Sequence, residues 1–240
     1  MPDQTRTNKH KSRMIVGLAI FAAIILLGGV AWHFVTPAPS ASTSAVVTLP
    51  ASSSFDLAYS LLSGSPPTLG SPNASVTIVE FGDYQCPTCG AWYHSQEALL
   101  IQNLVDSGKA KLVWRDFDYF GPDSVSASEA AYAAGEQGKF WQFHDLLFQS
   151  QQTPNNGWAS RQNMETFAQQ LRLNMTQFNQ SFNSGKYNSL INANHSLGVQ
   201  AGVTETPTFF LIGPNGRMIT IAGGQPESVF EQAVASLTSA

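Results

Sequence analysis

Cys86 and Cys89 are the only cysteines among 240 residues, and they stand in the run Phe81-Gly82-Asp83-Tyr84-Gln85-Cys86-Pro87-Thr88-Cys89-Gly90. Two thiols three residues apart, with no other cysteine to pair with, suit reversible redox exchange. The run follows an apolar β-type stretch, Val76 to Phe81, and precedes a helical pattern from Ala91 to Val105. A strand therefore delivers Cys86 to the first turn of a helix, where free N–H groups and the helix dipole favour an anionic sulfur. A thiolate so stabilised is reactive. Other chemistries compete for the pair. Zinc needs four ligands, and the chain has neither a second CxxC nor an HxxxH; His10, His33, His94, His144 and His195 are scattered. Attachment of c-type haem needs His directly after the second cysteine, and that position is Gly90. An inert Cys86–Cys89 bridge stays open, although closing so short a loop removes little unfolded-state entropy. Redox exchange is the leading expectation, with no metal and no bound cofactor. Walker, dinucleotide-binding and GxSxG patterns are missing from the sequence.

The surroundings of the pair set its compartment. Residues 1–13 carry Arg6, Lys9, Lys11 and Arg13 against one acid, Asp3, and form a basic N-terminus expected to stay in the cytoplasm. Met14 to Trp32 is unbroken apolar or glycine and continues through Phe34 and Val35. Residues 14–35 are long enough for one transmembrane helix, and the basic flank orients the rest of the chain outward. A cleaved signal peptide is the alternative, with small residues at Ala38, Ser40, Ala41 and Ala45; its apolar core would ordinarily be shorter. On either reading the remainder works outside the cytoplasm, where disulfides persist. It keeps eight of the 12 basic and fifteen of the 16 acidic residues, a net charge of minus seven, which argues against nucleic acid as a partner.

Residues 36–63 read as a linker, rich in Pro, Ser, Ala and Thr, with at most a short helical turn over Phe55 to Leu62. Residues 64–240 are enough for one domain. After the CxxC helix, which Gly108 terminates, Lys109 to Phe117 reads as a second strand. A helical block at about 122–200 follows, with patterns over Ala127 to Gln137, Phe140 to Phe148, Arg161 to Leu171 and Tyr187 to Leu197. Thr208 to Ile212 and Met218 to Ala222 flank a turn with the Asn-Gly hairpin signature, and Pro226 opens a closing helix. His94 reads as solvated or capping, His144 as part of the core stripe of its helix, and Asp83 as an Asx-type turn former. Asn73, Asn174, Asn179 and Asn194 sit in N-x-S/T patterns that arise readily by chance in a chain so rich in Asn and Ser.

Three segments resemble the DsbA-type thiol–disulfide oxidoreductases of the thioredoxin fold: Val79 to Cys89, Gly138 to His144, and Val203-Thr204-Glu205-Thr206-Pro207-Thr208-Phe209-Phe210. The resemblance covers nearly everything from about Pro72 onward. It implies an α/β thioredoxin-like fold, with the helical insertion lying between the second strand and a cis-proline strand. Cys86 then resembles the exposed nucleophile that forms a mixed disulfide with a client, and Cys89 its shielded partner. Pro207 resembles the family's cis-proline, whose neighbour Thr206 pairs with an extended client strand; an ordinary trans proline opening a strand is the alternative. Glu80 resembles the family's buried acid. It shares a strand face with Ile78, and if that face lies under the active-site helix, burial raises its pKa and makes it a proton relay for Cys89. An exposed edge carboxylate is the other possibility.

Two departures bear on function. Pro87-Thr88 stands between the cysteines in place of Pro-His, which suits a milder oxidant or even a reductant. Glu205 replaces a glycine two before the proline, adding a carboxylate that would repel acidic clients or raise the Cys86 pKa. Pro87, Thr88, Glu205 and Thr206 are thus the expected client-contacting residues. The expected enzyme forms disulfides in exported client proteins with free cysteines, with reduction or isomerisation as the other directions. Turnover calls for a membrane redox partner, either a quinone-linked oxidase or a reductant. A client-binding chaperone module and a Cu(I) metallochaperone using the two thiols are the competing functions.

Overall fold

The computed structural model describes residues 47–48, 51–214 and 216–239. The expected cytoplasmic segment 1–13, the anchor 14–35 and most of the linker before residue 47 lie outside them. Among the described residues no helix is long and apolar enough to cross a membrane.

Six strands form one mixed sheet in the order β1-β6-β5-β3-β4-β2. They are β1 (Val47–Thr48), β2 (Thr68–Leu69), β3 (Val76–Gly82), β4 (Ala110–Asp116), β5 (Thr208–Ile212) and β6 (Met218–Ala222). β3 and β4 are parallel, with Glu80 opposite Trp114. A parallel pair needs a crossover, and the helix that follows the CxxC run supplies it. β3 pairs antiparallel with β5 on its other side, placing Glu80 opposite Phe209. Every residue of β3 is buried, as expected for a central strand covered on both faces.

The two faces are built from alternate β3 residues. Val76 and Ile78 pack with Trp92, Leu100 and Leu104 of the active-site helix and with Phe230 of the closing helix Glu227–Thr238. Val79 and Phe81 point the other way, onto Ala58, Leu61, Phe117 and Phe210. The expected shared face of Ile78 and Glu80 is thus the face under the active-site helix.

The insertion between β4 and β5 holds five helices: Pro122–Gly135, Phe140–Gln149, Arg161–Gln170, Met175–Phe182 and Asn188–Gln200. Alanines 127, 130, 131, 133 and 134 are fully buried in the first of these and let its neighbours approach closely. Met175–Phe182 was not expected. Its two buried aromatics, Phe178 and Phe182, are too few to announce a period, and its start depends on Asn174, whose side chain accepts from the Gln177 N–H. Asn194 is 2% exposed and bonds Arg115, Asp116 and Tyr132, so its sequon serves the interior.

The linker expectation needs correction at its end. Ala51–Leu62 is a twelve-residue helix, not a tether with one short turn. Leu61 is fully buried beside Val79 and Phe81. The buried Arg115 guanidinium donates to the Leu61 carbonyl from Nε at 3.2 Å and from Nη2 at 2.8 Å. This carbonyl at the helix C-terminus has no intrahelical donor, so the cation both satisfies it and fixes the helix to β4.

Candidate active site

Cys86 is the N-cap of the active-site helix. Its backbone is extended (φ −69°, ψ 119°), Pro87 occupies the first helical turn, and the Cys86 sulfur accepts from the Cys89 N–H at 3.4 Å. A sulfur thus takes the capping place usually held by a Ser or Asp oxygen. On its other side the Cys86 thiol donates to the Thr206 carbonyl at 3.4 Å. The Thr206–Pro207 peptide bond is cis, as the resemblance implied. Cys86 and Cys89 are both free thiols in this structure, and the expected Cys86–Cys89 bridge is not formed in it.

The two thiols are electrostatically unlike. Cys86 is lowered from 9.0 to about 6, first by a hydrogen bond with the Cys89 side chain and, against the opposing effect of burial, by further bonds with the Thr206 side chain and the backbone of Cys89 and Thr88. Cys89 is raised well above 9.0, chiefly by burial. One sulfur is set up to be anionic at neutral pH and the other to hold its proton.

Glu80 is 1% exposed, which excludes the exposed-edge alternative. Burial raises its pKa well above 4.5, and the charges of Glu97 and then Cys86 raise it further. Space beside it exists because residue 82 is glycine: a Cβ there would meet the Trp114 ring at 2.4 Å, and Glu80 Oε1 at 3.4 Å. Asp83 is fully buried as well. Its Oδ1 accepts from the Gln85 N–H at 2.7 Å, the expected Asx turn, and its Oδ2 accepts from the Tyr119 and Phe120 N–H groups and the Ser124 hydroxyl. This one side chain ties the cysteine loop to the start of the insertion.

Two expectations fail at this site. Cys86 is not broadly exposed: 5% of the residue remains accessible, while Pro87 and Thr88 are exposed. The insertion is the reason, since Cys86, Cys89 and Tyr84 share an apolar cluster with Phe140, Phe143, Phe148 and Trp158. Nor is the Cys86 pKa raised by Glu205. That side chain is exposed, while the Glu205 backbone carbonyl accepts from Thr208 Oγ1 at 2.7 Å, and the hydrogen bonds around the sulfur outweigh a solvent-screened charge. Glu205 and Thr206 do border the same face as Pro87 and Thr88, because β5 brings Thr206 onto Cys86.

Several residues here were not anticipated. Gln151 Nε2 donates to the Tyr84 carbonyl at 2.7 Å and the Cys86 carbonyl at 3.0 Å. A Cβ on Gly90 would fall 1.9 Å from Gln151 Oε1, so the glycine after the second cysteine is what admits this clamp. Gln85 completes it, donating to Ser124 Oγ and Asn155 Oδ1 and accepting from the Asn155 N–H. Nothing in Gln149-Ser150-Gln151-Gln152 distinguishes the third residue from its neighbours. His144 is buried as expected, yet it is polar-partnered: Nδ1 lies 3.2 Å from the Tyr84 hydroxyl and Nε2 3.4 Å from Glu97 Oε1. His94 is exposed. Among the described residues, Glu97, His144 and Asp145 are the trio whose donor atoms come within 4.8 Å of one another. Tyr84 engages His144 and Tyr93 donates to Asp145 Oδ1 at 3.4 Å, so the trio is already knitted into the protein.

A family model described as Thioredoxin matches residues 63–222. The chain is 27% identical over 151 residues to a probable disulfide bond formation protein D of Bacillus anthracis, covering 61% of this chain and 69% of that protein. It is 33% identical over 150 residues to the Na(+)/H(+) antiporter NhaA 1 of Salinispora arenicola, covering 62% of this chain but only 21% of that one. The chain therefore spans about a fifth of the antiporter's length. The crystal structure of Wolbachia pipientis alpha-DsbA1 superposes with a TM-score of 0.65 at 20% identity, over 72% of this chain and 90% of that one.

Proposed function

The chain belongs to the thioredoxin family as a DsbA-type thiol–disulfide oxidoreductase, and from that premise we propose that it forms disulfide bonds in exported proteins through Cys86 and Cys89. The observation that carries this direction is the unequal pair: Cys86 favours the thiolate at about pH 6 and above, while Cys89 retains its proton. A stabilised thiolate favours the reduced form of the enzyme and so makes its disulfide oxidising.

In the oxidised enzyme a client thiolate attacks the Cys86 sulfur. The Cys86–Cys89 bond breaks, a Cys86–client bond forms, and Cys89 leaves with the electron pair and takes a proton from Glu80. A second client thiolate then attacks the client's sulfur and releases Cys86 as a thiolate. The client loses two electrons and the enzyme gains them. They pass on to a membrane redox partner, for which a quinone-linked oxidase is the chemically suitable class. The Thr206 backbone beside Cys86, together with Glu205, Pro87 and Thr88, forms the edge on which an extended client segment docks.

Membrane tethering is part of the same proposal. Its support is the apolar run Met14 to Trp32, continued by Phe34 and Val35, behind four basic residues, an arrangement that favours a catalytic domain outside the cytoplasm. The name of the Bacillus relative, a disulfide bond formation protein, agrees with the direction proposed.

Equilibration of the full chain with glutathione buffers tests the reading. A reduction potential of about −120 to −180 mV supports an oxidant or isomerase, whereas about −270 mV, where thioredoxin lies, makes it a reductant. Absence of any reversible couple removes the enzymatic role from the two cysteines.

A further inference from the structure

The active-site helix does not run as plain α-helix past the cysteines. Tyr93–Glu97 is a π turn, a form met mostly as single turns within α-helices and often at functional sites. Its last residue, Glu97, is turned into the protein and is 2% exposed. There it meets His144 and Asp145 of the helix Phe140–Gln149, and the three side chains bring one donor atom each within 4.8 Å of one another. His144 is fully buried and Asp145 only partly so, which gives the cluster an inner end and an end nearer solvent.

Hydrogen bonding leaves this cluster unfinished. Glu97 Oε2 and His144 Nε2 are buried and have no hydrogen-bond partner among the described residues, although buried polar atoms are nearly always bonded. Glu97 Oε1 lies 3.4 Å from His144 Nε2, within ion-pair range but without the alignment of a hydrogen bond. That separation suits a shared ion: two ligands about 2.0–2.1 Å from one tetrahedral metal sit roughly 3.3–3.4 Å apart. The outer atoms are already held. His144 Nδ1 is 3.2 Å from the Tyr84 hydroxyl, and Asp145 Oδ1 accepts from the Tyr93 hydroxyl at 3.4 Å. The tautomer in which Nδ1–H donates to Tyr84 puts the ring's lone pair on Nε2, the outer support that metal-bound imidazoles commonly have.

We propose that Glu97, His144 and Asp145 form a binding site for one divalent transition-metal ion, with Zn²⁺ the fitting case, that joins the active-site helix to the insertion. Zn²⁺ accepts both imidazole and carboxylate, and three protein ligands leave a fourth position for water at the Asp145 end. Two carboxylates balance the ion's charge where rings of Tyr84, Trp114, Trp141 and Phe148 stand around the imidazole at centroid distances of 4.9–5.5 Å. Ca²⁺ and Mg²⁺ fit poorly, since they call for roughly six or more ligands, nearly all oxygen, and Cu(I) prefers thiolates. Binding displaces whatever protons the three side chains hold. The ion then ties together two helices that otherwise meet only through side-chain packing and hydrogen bonds.

The two thiols are competing Zn²⁺ ligands, so the test removes them. Zn²⁺ is titrated by calorimetry into the full chain carrying Cys86→Ser and Cys89→Ser, untagged and purified in detergent, and the loaded protein is examined by X-ray absorption. About one equivalent is expected to bind, with nitrogen and oxygen scatterers at about 2.0–2.1 Å. The melting temperature should climb with Zn²⁺ concentration. Asp145→Asn, at the partly exposed end, is expected to keep the circular dichroism spectrum and to lose at least about tenfold in affinity; His144→Gln and Glu97→Gln should lose more. No binding overturns the proposal, as does binding seen only in the wild-type chain with sulfur at about 2.3 Å, which assigns the ion to the cysteines. An affinity unmoved in Asp145→Asn overturns it too, whatever the buried variants do, and marks the ion as adventitious. The redox couple is measured separately: its absence sinks the oxidoreductase reading and leaves this one standing.

Discussion

The backbone N–H of Cys89 points at the sulfur of Cys86 across 3.4 Å. The residue that supplies the second thiol therefore also supplies a donor that stabilises the first as an anion. Their acidities separate in consequence, Cys86 falling to about 6 and Cys89 rising. In the reduced protein, thiolate absorbance is expected to rise with a midpoint at about pH 6 and to vanish in Cys86→Ser.

The same separation fixes how the redox equilibrium depends on pH. Below about pH 6, reduction takes up two protons with two electrons; above it, only Cys89 takes one. The potential should fall by about 59 mV per pH unit on the acid side and by about 30 mV per unit on the alkaline side. A single slope from pH 5 to 8 would contradict the assignment. Stability follows with a definite sign. The Cys86 pKa is depressed by folding, so its contribution to the reduced protein is complete above about pH 9 and is lost as pH falls through about 6. The difference between wild type and Cys86→Ser in melting temperature should narrow on acidification across that window.

Exchange order is tested by trapping. Given a disulfide-bridged peptide, reduced Cys89→Ser should accumulate a mixed disulfide, the Cys86 thiolate taking one peptide sulfur and the other leaving as a thiolate, visible as a covalent adduct by mass spectrometry. Cys86→Ser should form no such adduct, because Cys89 is 1% exposed and holds its proton.

Gln151→Ala removes two hydrogen bonds to the cysteine loop. At about 0.5–1.5 kcal/mol each, the loss of stability should be roughly 1–3 kcal/mol. Denaturant unfolding measures it, and amide exchange at Gln85 and Cys86 should accelerate if the clamp holds this loop.

Gly82→Ala drives a methyl group to 2.4 Å from the Trp114 ring. That ring cannot withdraw freely, since Tyr84 stacks on it at a centroid distance of 4.8 Å and its Nε1 donates to Asp116 at 2.9 Å. Overpacking of this kind costs about 1–3 kcal/mol. Near-ultraviolet circular dichroism should report the displaced tryptophan.

The sequence carries the sheet well and the site unevenly. Thr208–Ile212 and Met218–Ala222 form as expected, because turn chemistry and β-branched or aromatic runs are local signals. Cys86 was legible from the CxxC motif, and Glu80 and Pro207 from the family resemblance, with strand parity choosing the face of Glu80. The partners of the cysteine loop were not: Gln85 and Asn155 are 70 positions apart, and Gln151 and Cys86 are 65. Polar residues in such pairings look like loop residues until the insertion folds over them. Glu97 was hidden for another reason. Stepping by α-helical spacing from the buried Trp92 leads to Gln96, yet Gln96 is only partly buried and Glu97 is the one enclosed.

That offset comes from the π turn Tyr93–Glu97, one of two in the active-site helix, the other being Ile101–Val105, with α-helix over Pro87–Trp92 and Ala98–Leu100. A π turn holds one residue more than the α turn it replaces, so it acts as a stored insertion that resets the phase of everything downstream. The cysteine end of the helix and its far end therefore face the core in independently set directions. Shortening the chain by one residue within 93–96 would let the backbone relax to ordinary α-helix while the residues after it keep the faces they now present. The wide turn is thus a place where the helix takes up one residue of length without changing which side chains meet the core on either side of it.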